Sequence, residues 1–249
     1  MSIMVGVGRG AQAGVLIRDA EALERMEKVD TIIVDKTGTL TEGKPKLVEF
    51  ASLGGAHGKD MIAAIGTSLA GRSDHPVSKA IAAGLPAKCL PVIDFTALPG
   101  RGVSGVVDGT RYILGNHRFI EERGQCGTAL EGQLRVHENM GRTVTVLASD
   151  HAVLGIFAVA DRIKASSRAA VSDLKSLGLH LVMLTGDNAA TARTIGAEAG
   201  IDDVKGNLLP DDKLNALKTL QQQYGPTGMA GDGINDAPAL AQADIGFAM

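Results

Sequence analysis

The stretch Thr31-Ile-Ile-Val34, running straight into Asp35-Lys-Thr-Gly-Thr39, constrains this chain more than any other feature. Four successive β-branched residues disfavour a helix. Without polar alternation they suit a strand covered on both faces, as in a parallel sheet. The chain then changes character within one residue, to a carboxylate, a glycine and hydroxyls. Open α/β sheets bind ligands at the carboxyl ends of their strands, so Asp35 stands where a site is expected. An aspartate there, facing a loop of backbone amides, suits attack on a phosphoryl group, and the plain alternative is a carboxylate that caps a turn.

The strand-then-helix rhythm returns later in the chain. A helix over 165–177, closed by Gly178, leads to a strand over 179–184. Thr185-Gly-Asp-Asn188 leaves that strand and opens a helix over 189–199, which Gly200 ends. A helix over 214–223, entered through Pro210-Asp-Asp, precedes a strand over 227–230 and the loop Gly231-Asp-Gly-Ile-Asn-Asp236. Strands that each end in an Asp-bearing loop are the pattern of a Rossmann-like α/β domain. A short helix over 21–28 precedes the first strand.

The middle reads differently. Ala-rich helices over 61–70 and 77–84, the second started by Pro76, precede hairpin strands over 103–107 and 111–114 that turn at Asp108-Gly109. A helix over 128–140 precedes a second hairpin, 143–148 with 153–159, turning at Asp150-His151. Hairpins mixed with helices indicate an antiparallel α+β unit. The expected organisation is one α/β domain built from 1–47 and 159–249, with 48–158 inserted as a second domain.

Composition narrows the classes. Lys and Arg number 25 against 28 Asp and Glu, and a net charge of −3 argues against a nucleic acid or anionic membrane held by bulk charge. Aromatics are 3% and Trp is absent, so the core must come from Ala, Val, Ile and Leu. Two cysteines, Cys89 and Cys126, make no disulfide framework and have no Cys or His at ligand spacing; they read as ordinary thiols of a reducing compartment. His57, His117, His137, His151 and His180 are scattered and read as surface or turn residues. No apolar run approaches the roughly 20 residues of a membrane span, and the start lacks a signal-peptide pattern, so the chain reads as soluble.

Asp35-Lys-Thr-Gly-Thr-Leu-Thr41, Thr185-Gly-Asp-Asn188 and Gly231-Asp-Gly-Ile-Asn-Asp-Ala-Pro238 together resemble the cytoplasmic catalytic unit of a P-type ATPase. Ser73-Asp74-His75-Pro76 narrows the resemblance to the heavy-metal-transporting branch. It covers essentially the whole chain. It implies a haloacid-dehalogenase-like phosphorylation domain with an inserted nucleotide-binding domain. It also implies ATP and Mg²⁺ as substrate and cofactor, and a monomeric fragment on the cytoplasmic side of a membrane protein. An actuator domain, membrane helices and the transported heavy-metal ion would lie outside this chain.

The roles implied fall on matching residues. Asp35 would be the nucleophile toward the γ-phosphoryl, and Asp35, the Thr37 carbonyl and Asp232 would hold Mg²⁺, a cation that prefers oxygen ligands. Thr185, Gly186 and Asp187 would serve the phosphoryl group. Lys213 would offset its charge, and Asn235 and Asp236 would complete the site. In the insert, His75 with Pro76 would meet the adenine, and Gly100, Gly102, Gly115 and Asn116 would let nucleotide approach. A lone His at a helix start is usually structural, Gly-x-Gly is common in turns, and Asn116 could simply cap a helix over 118–123.

One detail separates transporter from phosphatase, and one position departs from the family pattern. Soluble phosphatases of this superfold carry a second Asp two positions after the nucleophile, where this chain has Thr37. Copper-type members place a Glu five residues before the His, where this chain has Ala70, which hands that contact to a residue such as Asp74 or Ser68 or leaves it unmade. The 68–76 segment and Phe247 look more like zinc, cadmium or cobalt members, and 22–28 more like copper members. The expectation favours divalent metal export, with copper export as the alternative and a free-standing phosphatase as the less favoured one.

Overall fold

The computed structural model describes residues 3–19, 21–54, 57–232 and 236–249. Helices α1 (Ile3–Gln12) and α2 (Glu21–Met26) lead into β1 (Thr31–Asp35), a tight turn over Lys36–Leu40, and β2 (Lys46–Ser52). Helices α3 (Lys59–Ala70) and α4 (Pro76–Gly84) precede β3 (Ile93–Leu98), β4 (Gly102–Val107) and β5 (Thr110–Asn116). Then come α5 (His117–Glu122), α6 (Thr128–Glu138), β6 (Thr143–Ser149) and β7 (Val153–Ala160). The chain continues through α7 (Ala165–Ser176), β8 (His180–Leu184), α8 (Ala189–Ala199) and β9 (Asp203–Lys205). It closes with α9 (Pro210–Tyr224), β10 (Thr227–Gly231), α10 (Ala237–Gln242) and β11 (Ile245–Ala248).

Two sheets result. One has five strands in the order β11-β10-β1-β8-β9, and its pairings are parallel. The other has six in the order β2-β7-β6-β5-β4-β3, paired antiparallel. The all-apolar run of β1 is explained by burial on both sides. Val34 packs with Leu181, Met183 and Ile195 on one face, while Ile33 packs with Val182, Leu217 and Met229 on the other. The antiparallel sheet is also covered twice. Leu114, Leu147 and Phe157 face α3 and α4, and Ile113, Val146 and Ile156 face α5 and α6.

The strands β2, β3, β9 and β11 were not expected from the pattern. β2 and β3 are edge strands with mixed exposure, and β9 has three residues, too few for a period to register. Helix α9 starts at Pro210 rather than 214: proline takes the first position, Asp211 and Asp212 follow, and Asp212 Oδ2 accepts from Leu209 N at 3.0 Å. That start places Lys213 on the helix.

The first and last strands of the antiparallel sheet in chain order, β2 and β7, reach Lys46 and Ala160, and the two crossings between the sheets are tied to one another. Thr41 Oγ1 donates to Asp161 Oδ2 at 2.6 Å, Lys164 N to Leu40 O at 3.0 Å, and Lys164 Nζ to Gly38 O at 2.7 Å.

Candidate active site

The carboxyl ends of β10, β1 and β8 lie side by side, with Val34 opposite Ala230 and Asp35 opposite Leu184. Asp35 and Thr185 therefore emerge from neighbouring strands at one edge. Asp35 is buried, at 5% exposure; its Oδ2 accepts from Thr37 N at 2.9 Å and its Oδ1 from Lys213 Nζ at 2.6 Å. The same ammonium donates to Asp236 Oδ1 at 2.8 Å. Burial raises the pKa of Asp35; Lys213 works against this and Asp236 adds to it. Burial alone would lower the pKa of Lys213, but Asp35 and Asp236 outweigh it and hold the ammonium charged.

A second buried pair lies beside the first. Lys36 Nζ sits 2.6 Å from Asp187 Oδ2, with both side chains largely enclosed. Burial opposes the charge of Asp187, yet Lys36 and the Thr143 hydroxyl hold its carboxyl below the usual range. That hydroxyl donates to Asp187 Oδ1 at 3.1 Å from β6, so Asp187 links the two sheets. Thr185 is buried and takes a bond from Asp187 N on its Oγ1 at 3.2 Å, while Gly186 between them is exposed. Lys36 was passed over in the sequence. The signal available was a charged residue inside an otherwise buried strand-to-turn junction.

The loop after Asp35 has little room. Gly38 has φ 77°, and a Cβ there would lie 3.4 Å from Asp232 Cβ, so the turn needs glycine and brings Asp232 against it. Asn235 lies outside the described residues. Two buried polar atoms here, Thr39 Oγ1 and Asp236 Oδ2, have no hydrogen-bond partner among the described residues. Natural proteins rarely leave such atoms unpaired, and Asp236 Oδ2 lies against Gly231 at the carboxyl end of β10, open to a polar ligand. The ligand atoms gathered there are carboxylate and hydroxyl oxygens, the set that a hard cation takes. Mg²⁺ fits these residues.

The nucleotide candidates divide into two groups. Gly100, Gly102, Gly115 and Asn116 are brought together: Asn116 Nδ2 donates to Gly100 O at 2.8 Å, and Gly102 pairs with Gly115 across β4 and β5. Gly102 has φ 139°, and a Cβ would fall 2.2 Å from Leu114 O, so the backbone itself demands this glycine. Asn116 caps α5 by accepting from Phe119 N at 3.0 Å. A Cβ on Gly100 would meet Leu209, which caps α9, so this cluster abuts the helix that carries Lys213.

His75 stands elsewhere, exposed at the N-terminus of α4 before Pro76; its Nδ1 accepts from Val77 N at 3.3 Å, which leaves Nε2 and the ring faces available. The surrounding protein lowers its pKa, and the field of Asp187 pulls the other way. The two stand-ins for the missing Glu fare badly. Ser68 is buried and spends its Oγ on Leu90 N at 2.8 Å, and Asp74 pairs with Lys79 in solvent at 3.0 Å. Ala70 itself is a core residue against Ile81 and Leu69.

Two histidines correct the surface reading. His117 and His137 are buried, at 5% and 7% exposure. His117 is enclosed by carboxylates from α6, and His137 meets Arg142 at 3.1 Å, arrangements made by packing that no local spacing announces.

Residues 29–244 match the family model for haloacid dehalogenase-like hydrolases. The chain belongs to that family. Within it, this hydrolase is similar along its full length to heavy-metal P-type ATPases. It is 46% identical over 252 residues to a copper-transporting P-type ATPase of Rhizobium leguminosarum bv. viciae, covering 100% of this chain and 30% of the relative. It is 36% identical over 257 residues to a cadmium-transporting ATPase of Staphylococcus aureus, again with all of this chain and 35% of the relative. Among solved structures, the catalytic domain of the CPx-ATPase CopB-B matches with a TM-score of 0.76 at 27% identity, over 97% of this chain and 86% of that one. The chain thus spans about a third of the curated relatives it matches. Among the described residues no helix is long and apolar enough to cross a membrane.

Proposed function

We propose that this chain is the ATP-hydrolysing part of a heavy-metal-exporting P-type ATPase, placed on the cytoplasmic side of the membrane, and that it works through an aspartyl-phosphate on Asp35. The observation that carries the reading is the single Lys213 ammonium held between Asp35 Oδ1 and Asp236 Oδ1, at 2.6 and 2.8 Å, on the edge where parallel strands end.

Burial and Asp236 make the Asp35 carboxylate more basic, which strengthens it as a nucleophile, while Lys213 opposes that rise. In the transfer step an Asp35 oxygen forms a bond to the γ-phosphorus of ATP as the bond from that phosphorus to the β–γ bridging oxygen breaks, and ADP leaves. Lys213 then faces the phosphoryl oxygens, whose charge it offsets. Asp35, Asp232 and the Thr37 carbonyl would hold Mg²⁺, with Asp236 beside them; when bound, the ion neutralises charge on the phosphoryl oxygens. Thr37 offers no carboxyl group to activate water, so the phosphoenzyme persists in this chain alone, in contrast to a phosphatase. His75, Gly100, Gly102, Gly115 and Asn116 would hold the nucleoside end, and the link from Asp187 to Thr143 supports delivery of the γ-phosphoryl across the gap between the sheets.

For the cargo, the sequence reading favours zinc, cadmium or cobalt. The higher identity to the copper-named relative, 46% against 36% for the cadmium-named one, supports the copper alternative. The covalent step is tested by incubating the chain with γ-labelled ATP and Mg²⁺. The wild type should form an acid-stable, hydroxylamine-labile phosphoprotein, and Asp35→Ala should form none. Phosphate release that survives Asp35→Ala at wild-type rate sinks the proposal.

A further inference from the structure

We propose a second metal site, remote from Asp35, in which His117 Nε2, Cys126 Sγ and Glu131 Oε2 bind one divalent ion of the zinc class. These three atoms come from the first residue of α5, the loop that follows it and the first turn of α6, and they lie within 4.8 Å of one another. The sequence offered no ligand spacing for Cys126. Packing of α5 against α6 supplies the partners.

The separations suit a tetrahedral ion. Zinc bonds of about 2.3 Å to sulfur and about 2.0–2.1 Å to nitrogen or oxygen imply edges of about 3.6 Å from sulfur to either, and about 3.3 Å between nitrogen and oxygen. The observed edges are 3.5 Å from Cys126 Sγ to His117 Nε2, 3.4 Å from Sγ to Glu131 Oε2, and 2.7 Å from Nε2 to Oε2. Two edges already match; the third is a hydrogen bond that opens by roughly half an ångström. Glu121 Oε1, exposed and 3.8 Å from His117 Nε2, stands in reach of the fourth position.

The support behind the ligands is as expected for a metal centre. His117 Nδ1 is bound by Glu138 Oε1 at 2.8 Å, and Glu138 is buried, at 1% exposure. A buried carboxylate on the far nitrogen fixes the ring and turns Nε2 toward the ligand atoms, the usual outer partner of a metal-bound histidine. Charge points the same way. Glu121, Glu131 and Glu138 crowd one imidazole, and the nearby cation Arg135 reaches only Glu131, at 2.6 Å, from a solvent-exposed position. The mixed nitrogen, sulfur and carboxylate set selects zinc-class ions over Cu(I), which favours sulfur. On binding, the Cys126 thiol proton and any proton on Nε2 leave to solvent. His117 follows Asn116, the cap bonded to Gly100, so an ion here stiffens the loop junction of the nucleotide candidates.

Cobalt(II) titration of the full chain tests the site, since a cysteine thiolate on cobalt gives a near-ultraviolet charge-transfer band. The wild type and Cys89→Ser should each take up one equivalent with that band, displaced by zinc. Cys126→Ser should lose the band, and Glu138→Gln should bind roughly 10–100-fold more weakly. Glu131→Gln, at a half-buried position, should also weaken binding by at least tenfold. No band in the wild type, a band retained in Cys126→Ser, or wild-type affinity in Glu131→Gln each overturns the proposal.

Discussion

The parallel and antiparallel sheets each gather candidate site residues at one edge, but they do so by opposite means. In the parallel sheet the candidate residues are side chains that follow strand ends, so Asp35, Thr185 and Asp236 share one edge because their strands are neighbours. In the antiparallel sheet the candidate nucleotide residues are mostly glycines, placed by backbone geometry, and their side-chain work is turned inward, as in the Asn116 cap. A site of the first kind tolerates no change of charge. One of the second kind tolerates no added carbon.

The largest effect should come from breaking the charge pairing on the parallel side. Lys36→Met leaves Asp187 buried with Thr143 but without its ammonium. Losing one partner of an enclosed ion pair costs about 3–5 kcal/mol, which for a chain of this size corresponds to about 2–4 °C of melting temperature per kcal/mol. Thermal melts of Lys36→Met, Asp187→Asn and the double variant give the coupling. A Lys36→Met protein as stable as wild type would show that the pair does not hold the loops after β1 and β8 together at this edge.

A smaller loss should follow from adding one carbon on the antiparallel side. Gly102→Ala meets Leu114 O at 2.2 Å and needs φ 139°, so a cost of about 1–3 kcal/mol is expected. Gly109→Ala is the comparison: φ is also positive there, at 77°, yet nothing lies within 4 Å of the new Cβ. Chemical denaturation of the two variants separates the clash from the backbone strain. A Gly102→Ala loss no larger than that of Gly109→Ala would mean that the close approach of β5 yields.

What was legible in the sequence follows the same division. The strands of the parallel centre announced themselves, because burial on both faces forces apolar runs and the polar loops after them mark the edge. The elements that went unread lie where tertiary contacts outweigh local pattern. β2 is half exposed and carries Lys46 and Glu49, and β11 has four residues with Gly246 among them. Lys36 escaped notice because its partner, Asp187, lies far along the chain. His117 and Cys126 looked like isolated residues for the same reason, since Glu131 and Glu138 reach them only after α6 has packed on the sheet. Motifs carry the residues that act at one loop; pairs across elements need the fold.

The smallest effect is expected at His75, which stands apart from the glycine cluster, and it requires two substitutions. His75 Nδ1 caps α4 through Val77 N, so His75→Ala removes a cap worth about 1 kcal/mol as well as the ring. His75→Asn keeps an acceptor suited to the N-cap while removing the aromatic face and the free Nε2. If the ring contacts nucleotide, both variants should weaken binding of an ATP analogue by about 1–2 kcal/mol, roughly five- to thirtyfold, in calorimetric titration, and only His75→Ala should lower the melting temperature. If His75→Asn binds nucleotide as the wild type does, the residue serves α4 alone, and the nucleoside end must be held by the glycine cluster beside Asn116. Because Asp187 bears on the ring electrostatically, the Lys36→Met background should alter the His75→Asn loss if adenine bridges the two sheets, and should leave it unchanged if it does not.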